Sequence, residues 1–272
     1  MRERKPDDDL LETLVGRRDA LAALSGGSRS RRELEAELDV SKSTCHRIVR
    51  ALEERGLAER VDHEWTLTGL GDVVATRTAS FQRAVTAAYR LEPLVDAFAS
   101  AAVDFDVELF ADATLTRPQP DTLSPPINRY LELYREADAV RTIDRTSFVP
   151  PLYFEKLYEL AEEGDKTAVA VLPESVVETR LTEFPDIHRA AAATREPAYR
   201  IHDGVPFGMT LYDDDHVALR AYDDESGALL LFADTDDPDA VAWARDVYDH
   251  YYEESKPLSA VDGVPDWSPD AI

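Results

Sequence analysis

The sequence predicts an α+β / α/β protein in two parts: a small helical module closed by a hairpin, and a layered α/β domain with a mixed sheet, joined by a connecting helix. Three observations predict it. Short helices at the N-terminus are followed by a pair of short strand patterns. A long helical pattern with an apolar seam comes next. From about residue 104, helices alternate with short apolar runs, then a strand meander, then one closing amphipathic helix. The expected divisions are 1–75, 76–103 for the connecting helix, 104–256 for the α/β domain, and 257–272 for a polar tail.

The first helix is read from "LLETLVGRRDALAAL", where Leu10, Leu14, Leu21 and Leu24 fall near one face and "SGGS" ends the run. In "SRRELEAELDV", Ser30 and Glu33 have capping-box spacing, so the Ser30 side chain and the Glu33 carboxylate can each satisfy the other's backbone N–H. Leu34 and Leu38 form the buried side of that short helix, and Asp39-Val40 make a tight turn. Ser41 is the expected N-cap of a third helix. There Cys45, Ile48, Val49 and Leu52 recur at i, i+3, i+4 and i+7. Gly56 takes the left-handed position past the helix end. "LAERVDHEWTLT" then reads as two strands joined at Asp62-His63-Glu64, with Leu57, Val61, Trp65 and Leu67 facing inward. Three helices, a tight turn and a hairpin make a winged helix-turn-helix.

The face opposite the apolar stripe of the third helix carries Lys42, Ser43, His46, Arg47 and Arg50. A helix lying in a DNA major groove presents its N-terminal side chains to base edges, and long cationic donors suit guanine O6 and N7. Lys42, Ser43, His46 and Arg47 are therefore expected near bases, with Thr44 and Arg50 on phosphate. Arg31 and Arg32, and on the wing Arg60 and His63, are within the same expectation for the backbone, although Asp62 and Glu64 make a poor anion-binding tip. The expected partner is double-stranded DNA. An arm with Arg2, Arg4 and Lys5 is read as a tail. Cys45, on the apolar stripe, is read as a core thiol rather than a redox switch.

The composition qualifies that reading. Fifty-five acidic residues stand against 30 basic ones, a formal charge of -25, and only 5 of the 30 are lysine. Dispersed acid with scarce lysine suits a salt-accumulating cytoplasm, where a Debye length of about 3 Å at molar salt screens the self-repulsion. A single cysteine excludes an intrachain disulfide framework. No run reaches membrane-spanning length, and the N-terminus lacks a signal-peptide core, so a cytoplasmic protein without membrane association is expected.

In the connecting helix, Val74, Thr78, Phe81, Val85 and Ala88 form an apolar seam, and Pro93 restarts the helix. Regulators that bind pseudo-palindromic sites do so as dimers, so a homodimer is expected here. Further on, "VELFADATLT" reads as a strand, "PPINRYLELYREA" as a helix capped by Ser124, "AVRTIDRT" as a strand and "PLYFEKLYELAEEG" as a helix ended by Gly164. "TAVAVL" reads as a buried strand, and "ESVVETRLTEF" and "PDIHRAAAAT" as helices. The meander "AYRIHD", "FGMTLY", "HVALRAY", "ALLLFAD" precedes a last helix capped by Asp237 with Pro238 in its first turn.

"VSKSTCHRIVRALEERGLAER" resembles the second half of the winged helix-turn-helix in archaeal and bacterial transcriptional regulators, a resemblance covering about residues 8–75. "YREADAVRTIDRTSFVPPLYFEKLYELAEEG", "VAVLPESVVETRLTEFPDIHRA" and "YRIHDGVPFGMTLYDDDHVALRAYDDESGALLLFADTDDPDAVAWARDVYDHYYEES" resemble the sensory domain of archaeal FilR-type methanogenesis regulators, a family found in archaea including halophiles. The resemblance implies a transcription regulator, with a domain distantly like a phospholipase-D-type sheet. It implies no particular effector.

Phospholipase-D chemistry needs H-x-K, and none of His46, His63, His188, His202, His216 and His250 begins one. No P-loop, G-x-G-x-x-G or G-x-S-x-G occurs, no two histidines have helical zinc spacing, and no cofactor is expected. The aspartates 213–215 read as a turn rather than a calcium loop. What remains is a binding pocket for a small anionic effector. Arg141 and Arg145 on one strand, Arg200 and His202 on another and Arg220 on a third are expected to converge there, with Tyr153, Tyr212 and Tyr222 alongside. Two alternatives stay open: a phosphodiesterase relative carrying a winged-helix appendage, and a winged-helix protein-interaction module.

Overall fold

The computed structural model describes residues 10–101, 103–119, 122, 124–150, 153, 156–157, 159–160, 166–183 and 199–258. The chain divides into two compact units, Met1–Thr86 and Ala87–Ile272.

The first unit contains α1 (Leu10–Gly16), α2 (Arg18–Ser25), β1 (Arg29–Ser30), α3 (Arg31–Glu37), α4 (Lys42–Glu54), β2 (Ala58–Val61), β3 (Glu64–Leu67) and the start of α5 (Gly69–Arg90). Its start signals are local. Ser30 Oγ accepts from Glu33 N at 3.4 Å and Glu33 Oε2 accepts from Ser30 N at 2.7 Å, completing the capping box. Asp39 holds φ 49° in the turn, and Ser41 Oγ accepts from Thr44 N to open α4. Gly56, at φ 70°, lets Leu57 N bond back to Leu52 O at 2.9 Å. Asp62 and His63 both take positive φ, the geometry of a two-residue hairpin turn whose twist matches its strands. The sheet order is β1-β3-β2, so the expected hairpin gains a third, short strand. Leu14, Leu21, Leu24, Leu34, Cys45, Ile48, Val49, Leu52, Leu57, Trp65 and Leu67 form one core. Val61 does not join it. It lies next to the turn on an otherwise solvent-facing strand and is half exposed.

At the head of α5, Thr68 Oγ1 accepts from Gly71 N at 3.0 Å and donates to Gly56 O at 2.7 Å. Gly71 is pressed against the Leu57 carbonyl, so a side chain there would collide with backbone. Leu70, Val73, Phe81, Val85 and Tyr89 of α5 are exposed, Phe81 by 60%.

The second unit is built on an eight-stranded sheet in the order β11-β7-β6-β5-β8-β9-β10-β4. The strands are β4 (Thr114–Thr116), β5 (Ala139–Ile143), β6 (Thr167–Leu172), β7 (Tyr199–Ile201), β8 (Gly208–Tyr212), β9 (His216–Tyr222), β10 (Leu229–Thr235) and β11 (Lys256–Pro257). β5, β6 and β7 are parallel; the other pairings are antiparallel. This is the mixed sheet expected. One face carries Ile143, Val171, Met209, Leu211, Val217, Leu219 and Ala221, packed on α6 (Glu92–Ala99) and α9 (Pro238–Glu254). Phe98 of α6 stacks between Phe105 and Phe207 at 4.5 and 4.1 Å, and Trp243 of α9 closes on its edge. The opposite face carries Val140, Tyr212, Ala218, Tyr222 and Phe232 under Tyr130, Leu133 and Tyr134 of α7 (Ser124–Glu136). Burying a side chain the size of Leu219 contributes roughly 1.5–3 kcal/mol, and both layers are needed because the central strands are apolar on both sides. α8 (Glu174–Glu183) links β6 to β7.

Asp237 caps α9 through Asp239 N and Ala240 N, with Pro238 in the first turn, as the sequence predicts. "VELFADATLT" is not one strand. Asp106 accepts from Glu108 N and starts a 3-10 turn, Val107–Phe110, leaving β4 only three residues. The helix expected over 151–164 lies largely outside the described residues, and that over 185–194, with the arm at Arg2, Arg4 and Lys5, lies wholly outside them.

Candidate functional site

α4 separates two chemistries by its period. Cys45, Ile48, Val49 and Leu52 are buried, while Lys42, Ser43, His46, Arg47 and Arg50 are exposed and Thr44 is half-buried. Lys42, His46 and Arg47 have no hydrogen-bond or ion-pair partner among the described residues. Arg50 Nε is held by Glu54 Oε1 at 2.9 Å, one turn on. Arg31 is paired in the same way with Glu35 at 3.1 Å. Arg60 lies over the Trp65 ring at 5.1 Å and reaches His63 Nδ1 at 3.4 Å. Ser43 and Thr44 hydroxyls both contact Ser41 Oγ at the helix N-terminus, at 3.0 and 3.1 Å. The uncommitted side chains of α4, Lys42, His46 and Arg47, therefore sit in its first two turns, where the helix end also carries partial positive charge. Burial pushes the Cys45 thiol above its ordinary pKa, keeping it protonated and inert.

The five residues expected to converge on an anion do not gather. Arg141 turns toward α9, over the Tyr248 ring at 5.1 Å, and pairs with Asp214. Arg200 lies over Tyr252 at 4.3 Å and bonds Ser255 Oγ at 2.6 Å. His202 faces Glu254 at 3.7 Å, and Arg145 pairs with exposed Asp224 at 2.6 Å. Arg220 is on the opposite face of the sheet, because β9 alternates its side chains between the two layers.

On that second face the structure joins Arg220 and Tyr222 to a carboxylate, Asp144, that the sequence did not single out. Arg220 Nε donates to Asp144 Oδ2 at 3.0 Å, and the Tyr222 hydroxyl donates to the same oxygen at 2.9 Å. Both charged residues are buried. Gly208, opposite Arg220 in register, has no side chain because a Cβ would lie 2.7 Å from Arg220 Nε and 2.9 Å from Asp144 Oδ2. A second group joins Asp234 to Arg129, at 2.6 Å, and to His216 Nε2, at 2.9 Å. Burial raises the Asp234 pKa, but the hydrogen bonds from His216 and Arg129 outweigh it and hold the carboxyl below its ordinary value. The Thr142 and Thr210 hydroxyls meet at 3.1 Å on the same face. Among the described residues no cluster of histidine, cysteine and carboxylates could hold a metal ion.

A capped turn, an amphipathic helix with cations on its outer side and a tightly turned hairpin define the winged-helix class, joined here in sequence to an α/β sheet domain. Residues 123–254 match the family model of the middle domain of methanogenesis regulatory protein FilR1, and residues 7–90 match that of the HVO_A0261 N-terminal domain. Together the matches support a transcription regulator. No curated protein matches the chain. Among solved structures, the archaeal chromatin protein TrmBL2 is similar at 17% identity over 92% of this chain and 99% of that one, with a TM-score of 0.43. NucT from Helicobacter pylori is similar at 12% identity over 54% and 98%, with a TM-score of 0.42. The phospholipase D family member Nuc from Salmonella typhimurium is similar at 10% identity over 53% and 97%, with a TM-score of 0.38. No helix among the described residues is long and apolar enough to cross a membrane.

Proposed function

We propose that this chain is a sequence-specific DNA-binding transcription regulator of a haloarchaeal type. In this reading α4 enters the major groove, α5 pairs two copies, and the α/β domain senses a small anionic ligand. The observation that carries it is the solvated cationic face of α4, set opposite a fully buried stripe in an otherwise acidic chain. Lys42, His46 and Arg47 read bases; Ser43 assists them. Thr44, Arg50, Arg31 and Arg60 lie along the backbone path, the last three after exchanging their present contacts for phosphate. At molar salt counterion release adds little, so affinity rests on base-edge contacts, shape and bound water. The chain acts by binding rather than catalysis, since the H-x-K that phospholipase-D chemistry requires is absent from the sequence. The ligand changes transcription by binding the DNA-competent and incompetent arrangements unequally.

The test is operator affinity. Arg47→Ala is expected to weaken binding by about 1–3 kcal/mol and to relax base preference at one position. Equal affinity of the variant and the parent, measured at matched salt by fluorescence anisotropy, would remove the reading.

A further inference from the structure

The cations of α3 and α4 that are assigned to DNA differ in what holds them. Lys42, His46 and Arg47, assigned to bases, are exposed and have no hydrogen-bond or ion-pair partner among the described residues. The two helix arginines assigned to phosphate are each held by a carboxylate one turn further along the same helix. Arg31 Nε faces Glu35 Oε1 at 3.1 Å, and Arg50 Nε faces Glu54 Oε1 at 2.9 Å. Both pairs have the i,i+4 spacing that puts side chains on one face. His46, Arg50 and Glu54 therefore follow one another down the solvent side of α4, and the Glu54 carboxylate lies on the side that meets DNA in this reading.

The energetics make these pairs exchangeable. The Arg50 and Glu54 side chains are 67% and 60% exposed, where an ion pair is worth little and is screened by salt. Arg31 and Glu35 are 38% and 24% exposed, yet Nε and Oε1 meet without the alignment of a hydrogen bond, so that pair is incomplete. A phosphate oxygen offers each guanidinium the same kind of charge-assisted bond. To take it, the DNA displaces a carboxylate, which then stands as a like charge beside the phosphate. A paired arginine also brings no net charge to the duplex, so it releases fewer counterions than a free one.

We propose that Glu35 and Glu54 compete with DNA phosphates for Arg31 and Arg50, lowering affinity in dilute salt and flattening its fall as salt rises. The proposal rests on the reading of α4 as the DNA-contacting helix and adds a salt response to that contact. At molar salt the Debye length is about 3 Å, so the displaced carboxylates repel the duplex little; in dilute salt they hold binding back. Occupancy of a site thus varies less with cytoplasmic salt than it would with free arginines.

The probe is the duplex that the full chain selects most tightly from a random library in molar KCl. Its affinity for the parent, Glu35→Gln and Glu54→Gln is measured by fluorescence anisotropy from dilute to molar KCl, over the range in which circular dichroism shows each protein folded. Each variant is expected to bind roughly two- to fivefold tighter at the dilute end. Its log K is expected to fall more steeply with log[KCl], by up to about 0.9 for the arginine set free. Glu54→Gln changes an exposed side chain and serves if Glu35→Gln fails to fold. Asp19→Asn on α2, beside Arg18 at 3.5 Å, removes the same charge from an ion pair on another helix and is expected to leave affinity and slope as in the parent. In an Arg50→Ala background the gain from Glu54→Gln is expected to shrink to the level of that control. Unchanged affinity and slope in the folded glutamine variants, an equal gain from Asp19→Asn, or an undiminished Glu54→Gln gain without Arg50 would each overturn the competition. If no duplex is selected, or Arg47→Ala binds it as tightly as the parent, the DNA-binding reading itself fails. If Arg47→Ala weakens binding while both glutamine variants match the parent, that reading stands and the competition fails.

Discussion

Replacing Asp144 by alanine is expected to be among the most destabilising single changes in the α/β unit. Its carboxylate is, among the described residues, the one acidic partner of the fully buried Arg220 and also the acceptor for the Tyr222 hydroxyl. Removing one member of a buried ion pair leaves the other charged in a low-dielectric layer, which costs on the order of 3–5 kcal/mol. Domains of this size have about 5–15 kcal/mol in total, so roughly a fifth or more of the stability is at stake. The control is Asp144→Leu with Arg220→Met, which removes both charges together. Such replacements are often neutral or stabilising, so the double variant is expected within about 2 kcal/mol of the parent. Hydrogen exchange of the β9 and β10 amides, followed across a urea series, reads this unit alone. If Asp144→Ala lies within about 1 kcal/mol of the parent, Arg220 is solvated in solution and the account of this face is refuted.

Three further outcomes follow from other parts of the chain. Phe81→Arg puts a charge in the exposed apolar stripe of α5 and is expected to shift sedimentation from dimer to monomer, with helix content by circular dichroism unchanged; a dimer that persists at the parent's strength counts against α5 pairing. Gly71→Ala drives a methyl group into the Leu57 carbonyl, and a backbone that must move costs about 1–3 kcal/mol or more, measured as a lowered Tm of the winged-helix unit. The depressed pKa of Asp234 means that its stabilisation is fully present above the unfolded-state value, about 3.9, and is lost as pH falls through the lower folded value. Asp234→Asn is therefore expected to be less stable than the parent at pH 7, with the gap closing below about pH 4; a gap that stays constant in acid denies the linkage.

Much of the N-terminal unit was legible because its signals are local. The Ser30–Glu33 box spans three residues, the α4 stripe follows the helical repeat, and Gly56 and Asp39 take the left-handed conformations their positions demand. Most described elements of the α/β unit were legible in type and order, since alternation and turn chemistry are also short-range. The polar face was not. Arg129 and Asp234 are 105 residues apart, and Arg220 and Asp144 are 76 apart, so no spacing rule links them. Treating the arginines as one set failed for a related reason: β5 and β7 aim Arg141 and Arg200 at tyrosines of α9, whereas β9 aims Arg220 to the far side. The run after Val107 alternates like a strand, but the carboxylate of Asp106 captures a backbone N–H and turns the chain first.

The strand His216–Tyr222 delivers Val217, Leu219 and Ala221 to one layer and Ala218, Arg220 and Tyr222 to the other. A slip of one residue against its neighbours would bring the guanidinium into the phenylalanine-rich layer and strand Asp144 without a counterion. The connection at residues 213–215 therefore tolerates exchange of its aspartates more readily than a change in their number.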